Sequence, residues 1–193
     1  MKLKRHHFGI LILTLFFLAG GLLSYTLVKN GYFPVARVNG NFLSYRTVKE
    51  NMELSRRIYS RGLAGSSVEL SDLFKRGNET ELLKNSLENL ITTQIIRSAV
   101  GPDTIKKVSE ELEKNFDPAA LANITALVRN VYNWDTAKFK ERILEPQALL
   151  DVVTQEKGRE FEPWLKLSKS QAKVSLWFVP FEWKEGQLIN KPD

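Results

Sequence analysis

The stretch VARVNGNFLSYRTVKENMELSRRIYS, Val35 to Ser60, changes its periodicity partway along. Val35 to Val38 reads as a short β-prone run, and Asn39-Gly40 is a strong turn dipeptide. Ser44 is placed to cap a helix. On that helix Tyr45, Val48, Met52 and Tyr59 share one face, with Ser55 completing the spacing. Arg46, Lys49, Glu50, Glu53, Arg56 and Arg57 fill much of the remainder. A helix apolar on one side only must be covered by another element.

Downstream, residues 61–77 read as a loop with one helical turn near Leu70 to Phe74, and Asn78 with Glu81 forms a capping-box pattern. The helix that follows carries Leu83, Leu87, Leu90, Ile91 and Ile95, widened by Leu82 and Ile96, so it is expected to be central. Gly101-Pro102 ends it and opens a third helix with Ile105, Val108, Leu112 and Phe116 facing inward. A fourth helix is expected from Asp117-Pro118. A fifth runs from Thr136 to Lys157, with Phe139, Ile143, Leu150 and Val153 inward and Pro146 kinking or splitting it. Phe161, Trp164 and Leu165 mark a short helix over 160–170. The last segment, AKVSLWFVPFEW from Ala172 to Trp183, is β-branched and aromatic, and Glu185-Gly186 turns it toward QLIN. Lys173 to Phe178 is the expected partner of Ala36 to Val38, because both are short, isolated and β-prone.

Upstream, Phe8 to Val28 holds 21 residues without a charge, enough for a membrane-spanning helix of about 20 residues. Lys2, Lys4 and Arg5 precede it, which predicts a cytoplasmic N-terminus and residues 30–193 outside, in a single-pass inner-membrane protein. A cleaved signal peptide is the alternative, but its apolar core would be shorter and would end in a small-x-small site. The expected fold is therefore mainly α: a transmembrane signal anchor over 1–29, a helical domain over 30–170, and a C-terminal strand or hairpin over 171–193 that pairs back on the first strand. Beyond Val28 there are 25 basic and 22 acidic residues, a net of +3 out of the chain's +6. No basic stripe with interleaved aromatics is present, so nucleic acid is not an expected partner.

The order of these parts resembles the N-terminal chaperone domain of the SurA family and of its membrane-anchored relatives such as PpiD. The resemblance is carried by Val38-Asn39-Gly40 and Leu43-Ser44, by ELLKNSLENLITTQII from Glu81 to Ile96, and by DTIKKVSEELEKNF from Asp103 to Phe116. Trp134, Phe139, Lys140, Ile143 and Leu149-Leu150 carry it further, to about residue 157. It implies a fold of irregularly packed helices that binds unfolded polypeptide. Family members usually add a parvulin isomerase domain with histidines at its site. The two histidines here, His6 and His7, both precede the apolar segment, so isomerase activity is not implied.

The chain has no cysteine and therefore no disulfide, thiolate metal site or cysteine nucleophile. Glu110, Glu111 and Glu113 alternate with Lys106, Lys107 and Lys114, the pattern of a solvated helix face and not of an acid–base pair. No catalytic residue, metal or cofactor is expected, and the protein is not expected to be an enzyme. The candidate peptide-binding residues are Tyr45, Met52, Tyr59, Trp164, Trp177, Phe178, Phe181 and Trp183. The expected partners are unfolded or newly translocated polypeptides, held without ATP, and the membrane through residues 8–28. The alternative is a non-catalytic scaffold of a cell-envelope complex, with a second copy or one envelope protein as its partner.

Overall fold

A computed structural model describes residues 14, 20–22, 24–62, 76–115, 125, 128–129 and 134–192. Residues 24–29 are helical and lead into a three-stranded antiparallel sheet. Its strands are β1 (Pro34–Val38), β2 (Asn41–Ser44) and β3 (Val174–Leu176), in the order β2-β1-β3. The hairpin β1–β2 turns on Asn39 and Gly40, both at positive φ, 48° and 95°, which matches the twist of the strands it joins. Strand β3 arrives from the far end of the chain and pairs Ala36 with Leu176, Arg37 with Ser175 and Val38 with Val174. Asn39 locks this pairing from the turn. Its backbone N–H donates to the Lys173 carbonyl, and its side-chain oxygen accepts from the Lys173 N–H, each at 3.0 Å.

The helices are α1 (Tyr45–Gly62), α2 (Arg76–Ala99), α3 (Pro102–Asn115), α4 (Thr136–Phe139), α5 (Glu145–Lys157) and α6 (Phe161–Gln171). Ser44 caps α1, its hydroxyl accepting from the Thr47 N–H at 3.2 Å. A hairpin of β4 (Phe181–Lys184) and β5 (Gln187–Asn190) closes the described chain on the turn Glu185-Gly186. Gly186 sits at φ 85° against the backbone and Cβ of Lys169, so a side chain there would be strained and crowded.

Two apolar clusters share α2. The first joins Val35 and Val38 of β1, Val48 of α1, Leu87, Ile91 and Ile95 of α2, and Val179, Phe181 and Leu188. The second joins Ile96 of α2, Val108 and Leu112 of α3, Leu149 and Val153 of α5, and Phe161. Helix α2 is thus central, as its leucine and isoleucine pattern requires.

The structure corrects several expectations. Most of the Phe8–Val28 segment lies outside the described residues. Among the described residues no helix is long and apolar enough to cross a membrane. The expected fourth helix from Asp117, Phe116, and most of the 61–77 loop also lie outside the described residues. Helix α2 begins at Arg76, so Asn78 lies within its first turn instead of capping it. Ile105 is exposed while Val108 and Leu112 are buried, because α3 meets α5 along a narrow stripe. Leu149, not Leu150, takes the buried place on α5 beside Val153.

The expected helix from Thr136 to Lys157 is divided just before Pro146, by a π turn instead of a break in the helical path. Residues Lys140–Leu144 form a π turn that joins α4 to α5, with the Glu145 N–H bonding back to the Lys140 carbonyl. A proline lacks the N–H of a regular helix and crowds the carbonyl four residues back. Placed at the start of α5, Pro146 sits where that loss is tolerated, and the widened turn before it accommodates the ring.

Phe181 is fully buried and Phe178 is 84% exposed, three residues apart on the same aromatic run. Phe181→Ala is expected to lower the unfolding free energy by about 3–5 kcal/mol. Phe178→Ala is expected to change it by no more than about 0.5 kcal/mol. Urea denaturation of the two variants measures both.

Candidate functional groove

Helices α1 and α2 form one wall of a groove, and the π turn with the start of α5 forms the other. Two adjoining cavities of about 120 and 350 Å³ make up the groove. Both are lined by Asn51 and Leu54 of α1, Thr93 of α2, and Arg142 and Pro146. Leu90, Trp134, Ile143 and Leu150 add apolar surface along its length. Thr47, Asn89, Thr92, Gln94 and Gln147 add hydroxyl and amide groups. Glu50, Arg97, Glu141, Arg142 and Asp151 add charges of both signs. Apolar surface bordered by such donors and acceptors suits a ligand that has side chains to bury and backbone polar groups to satisfy.

One end of the groove is organised by Glu50. Its carboxylate receives Arg46 Nε at 3.1 Å and Lys138 Nζ at 2.7 Å, and Arg142 Nε lies 3.9 Å from its second oxygen. The helical spacing of Arg46 and Glu50 on α1 gives the first contact, while Lys138 and Arg142 come from the α4–π segment. Glu50 therefore fastens the two walls together. Partial burial acts to raise its pKa, but the hydrogen bonds from Lys138 and Arg46 outweigh that and hold it below the ordinary value of 4.5. The buried Nε of Arg142 finds no hydrogen-bond acceptor in reach, so the groove holds one strong donor unused. Lys138 also lies over the Trp134 ring at 5.0 Å, which fixes that aromatic at the groove's border.

The residues expected from sequence to bind peptide are not gathered in this groove. Phe181 is core, and Met52 and Trp183 pack against the same cluster. Their alternation put them on a face that the chain's own helices cover. Trp164 packs on the second cluster, 6.1 Å from the Phe161 ring. Tyr45, Trp177 and Phe178 lie at the sheet: Tyr45 stacks on Phe33 at 5.1 Å, Phe178 meets Phe33 edge-on, and Trp177 lies against Phe42. The side chain of Tyr59 lies outside those described. Sequence reasoning missed the groove because its walls come from segments some 90 residues apart. Its one readable signal was the charge on Glu50, Lys138 and Arg142, which in sequence looks like ordinary helix surface. Among the described residues no cluster of histidine and carboxylate side chains could hold a metal ion.

The lowered pKa of Glu50 sets a sign for pH dependence. As pH falls, the unfolded chain takes up a proton at Glu50 before the folded one does. The carboxylate's contribution is thus complete above the ordinary value of 4.5 and is lost as pH drops through the lower folded value. Glu50→Gln is expected to cost about 1–2 kcal/mol at neutral pH, the scale of hydrogen bonds to a partly solvated charge. It is also expected to flatten the fall in melting temperature between about pH 5 and pH 3. Thermal melts of both proteins across that range check it.

No protein-family model, no curated protein and no solved structure matches this chain, so the groove's own chemistry has to carry its function.

Proposed function

We propose that this chain is an ATP-independent chaperone or foldase accessory that holds unfolded or newly made polypeptide in the groove between α1–α2 and the π turn. The observation that carries the proposal is the groove's composition. It combines Leu54, Leu90, Ile143 and Leu150 with a border of threonine, asparagine and glutamine, and with charged Glu50, Arg97, Glu141, Arg142 and Asp151 of both signs. Apolar contacts would supply affinity for any hydrophobic segment. The amide and hydroxyl groups would satisfy the backbone of that segment without demanding a particular sequence. The unused Arg142 N–H would donate to a carbonyl or a carboxylate of the bound chain. The resemblance to the SurA-type module points the same way and covers the same helices.

Nothing in this mode of binding consumes energy. A groove of this size buries only a few side chains, so affinity would be modest and release fast. The groove would delay aggregation by occupying exposed segments, leaving folding to the client.

The test is aggregation of several unrelated unfolded proteins with and without the full chain, in the absence of nucleotide. Suppression at near-stoichiometric ratios across clients is the expected result. Leu150→Ser, at an exposed groove position, should weaken suppression several-fold while leaving the melting temperature within about 2 °C. Capture of one saturable partner with no general suppression would assign the chain to a fixed assembly instead.

A further inference from the structure

The aromatic side chains at the sheet lie on a second surface, separate from the groove. On the outer face of the sheet Phe42 pairs across from Arg37, and Arg37 across from Ser175. Lys173 and Trp177 flank Ser175 on that same face by strand alternation. At the sheet's end stand Tyr32, Tyr45 and Phe178. The helical residues 24–29 join here directly: the Tyr32 N–H donates to the Leu27 carbonyl at 2.9 Å, and the Arg46 N–H to the Gly31 carbonyl at 2.7 Å. Of the large apolar side chains that are exposed among the described residues, most come from this one region: Leu22, Tyr25, Leu27, Val28, Tyr32, Phe42, Tyr45 and Phe178.

The charge here is predominantly positive. Residues 20–49 contain Lys29, Arg37, Arg46 and Lys49 and no aspartate or glutamate. Residues 163–181 contain Lys166, Lys169 and Lys173 and again no acid. Arg46 pairs with Glu50 and Lys169 with Glu88, but Lys29, Arg37 and Lys173 have no carboxylate partner among the described residues. The cations also sit on the aromatics. Lys29 lies 6.0 Å from the Tyr25 ring, Arg37 5.4 Å from Phe42 and Arg46 4.9 Å from Tyr32.

We propose that this sheet face and end rest on the headgroup region of an anionic lipid bilayer, as a peripheral contact that requires no membrane-spanning helix. Aromatic rings with one apolar body and one polar edge settle at the boundary between headgroup and acyl chain. Arginine and lysine stems lie along such a surface while their heads reach the phosphates. A polypeptide client would not favour a surface of unopposed positive charge, since unfolded chains carry both signs. An anionic bilayer complements it over its whole extent. The groove, built by α1, α2 and the π turn, would remain available while the sheet face is docked.

The absence of native cysteine makes the test direct. Ser175→Cys places a single thiol on the proposed contact and Ser109→Cys places one on α3, which packs on the other core. Each full-length variant is labelled with a polarity-sensitive fluorophore and mixed with vesicles of phosphatidylcholine, with or without phosphatidylglycerol. The expected result is a blue shift at position 175 with the anionic vesicles only, none at 109, and reversal toward 1 M salt, where the Debye length falls to about 3 Å. Arg37→Gln should weaken the response about fivefold, the effect of one basic residue at an anionic surface. Vesicle binding of the whole chain with no shift at 175 overturns the proposal. A shift at 175 that grows with protein concentration without vesicles overturns it too, and assigns the face to a second copy. A shift at 175 with an unfolded protein and none with vesicles does the same in favour of a client chain.

Discussion

Strand β1 is paired along both edges, to β2 beside it in sequence and to β3 from the far end of the described chain. Val35 and Val38 point from it onto α2, and Phe181 closes over them from the segment that follows β3. Remove that double pairing and three things go together. The first apolar cluster loses one wall, α1 loses the cap that Ser44 provides at the end of β2, and the aromatic run from Trp177 to Trp183 loses its seat. The helices depend on the sheet as well as on each other, because α1 leaves the hairpin with no intervening residue.

The division of the C-terminal aromatic run shows how one segment serves two surfaces. Backbone alternation alone would send Trp177, Val179, Phe181 and Trp183 to one side. Phe178, at φ 58°, breaks that alternation between β3 and β4. After the break Val179 and Phe181 enter the core, while Phe178 is left outside against Phe33. Burying a Phe side chain contributes about 1.5–3 kcal/mol, so leaving one at 84% exposure forgoes a gain that the fold could have taken. The groove and the sheet face are thus built from different residue types. The groove mixes aliphatic with polar groups and charges of both signs, and the sheet face mixes aromatic with cationic groups.

Much of the helical scaffold was legible in the sequence. The Leu83 to Ile96 stripe marked α2 as central, Asn39-Gly40 marked the first hairpin, and the β-prone run at Lys173 to Phe178 marked the partner of β1. These signals are local: a period, a turn dipeptide, an isolated strand. The groove was not legible, since Asn51 and Pro146 become neighbours only through the packing of both on α2. The burial of Phe181 was not legible either, because a fully aromatic strand reads the same whether its cover is the chain's own helices or a ligand. Nor could the sequence show that Pro146 would be absorbed by a π turn, which depends on where the helix register falls relative to the ring.

The pairing of Ala36 with Leu176 also orders events in time. On the ribosome, residues 34–44 emerge well over a hundred residues before β3 exists, so the hairpin β1–β2 must wait with one edge open. Contacts this distant in sequence close late and slow the overall folding rate. During that interval Val35, Val38 and the face of α2 are uncovered, and the unpaired edge of β1 is a template for any passing strand. The open edge of β1 is sealed only when Lys173 meets the Asn39 turn. Synthesis of β3 and of the hairpin that follows it is therefore the step at which this domain stops being sticky itself.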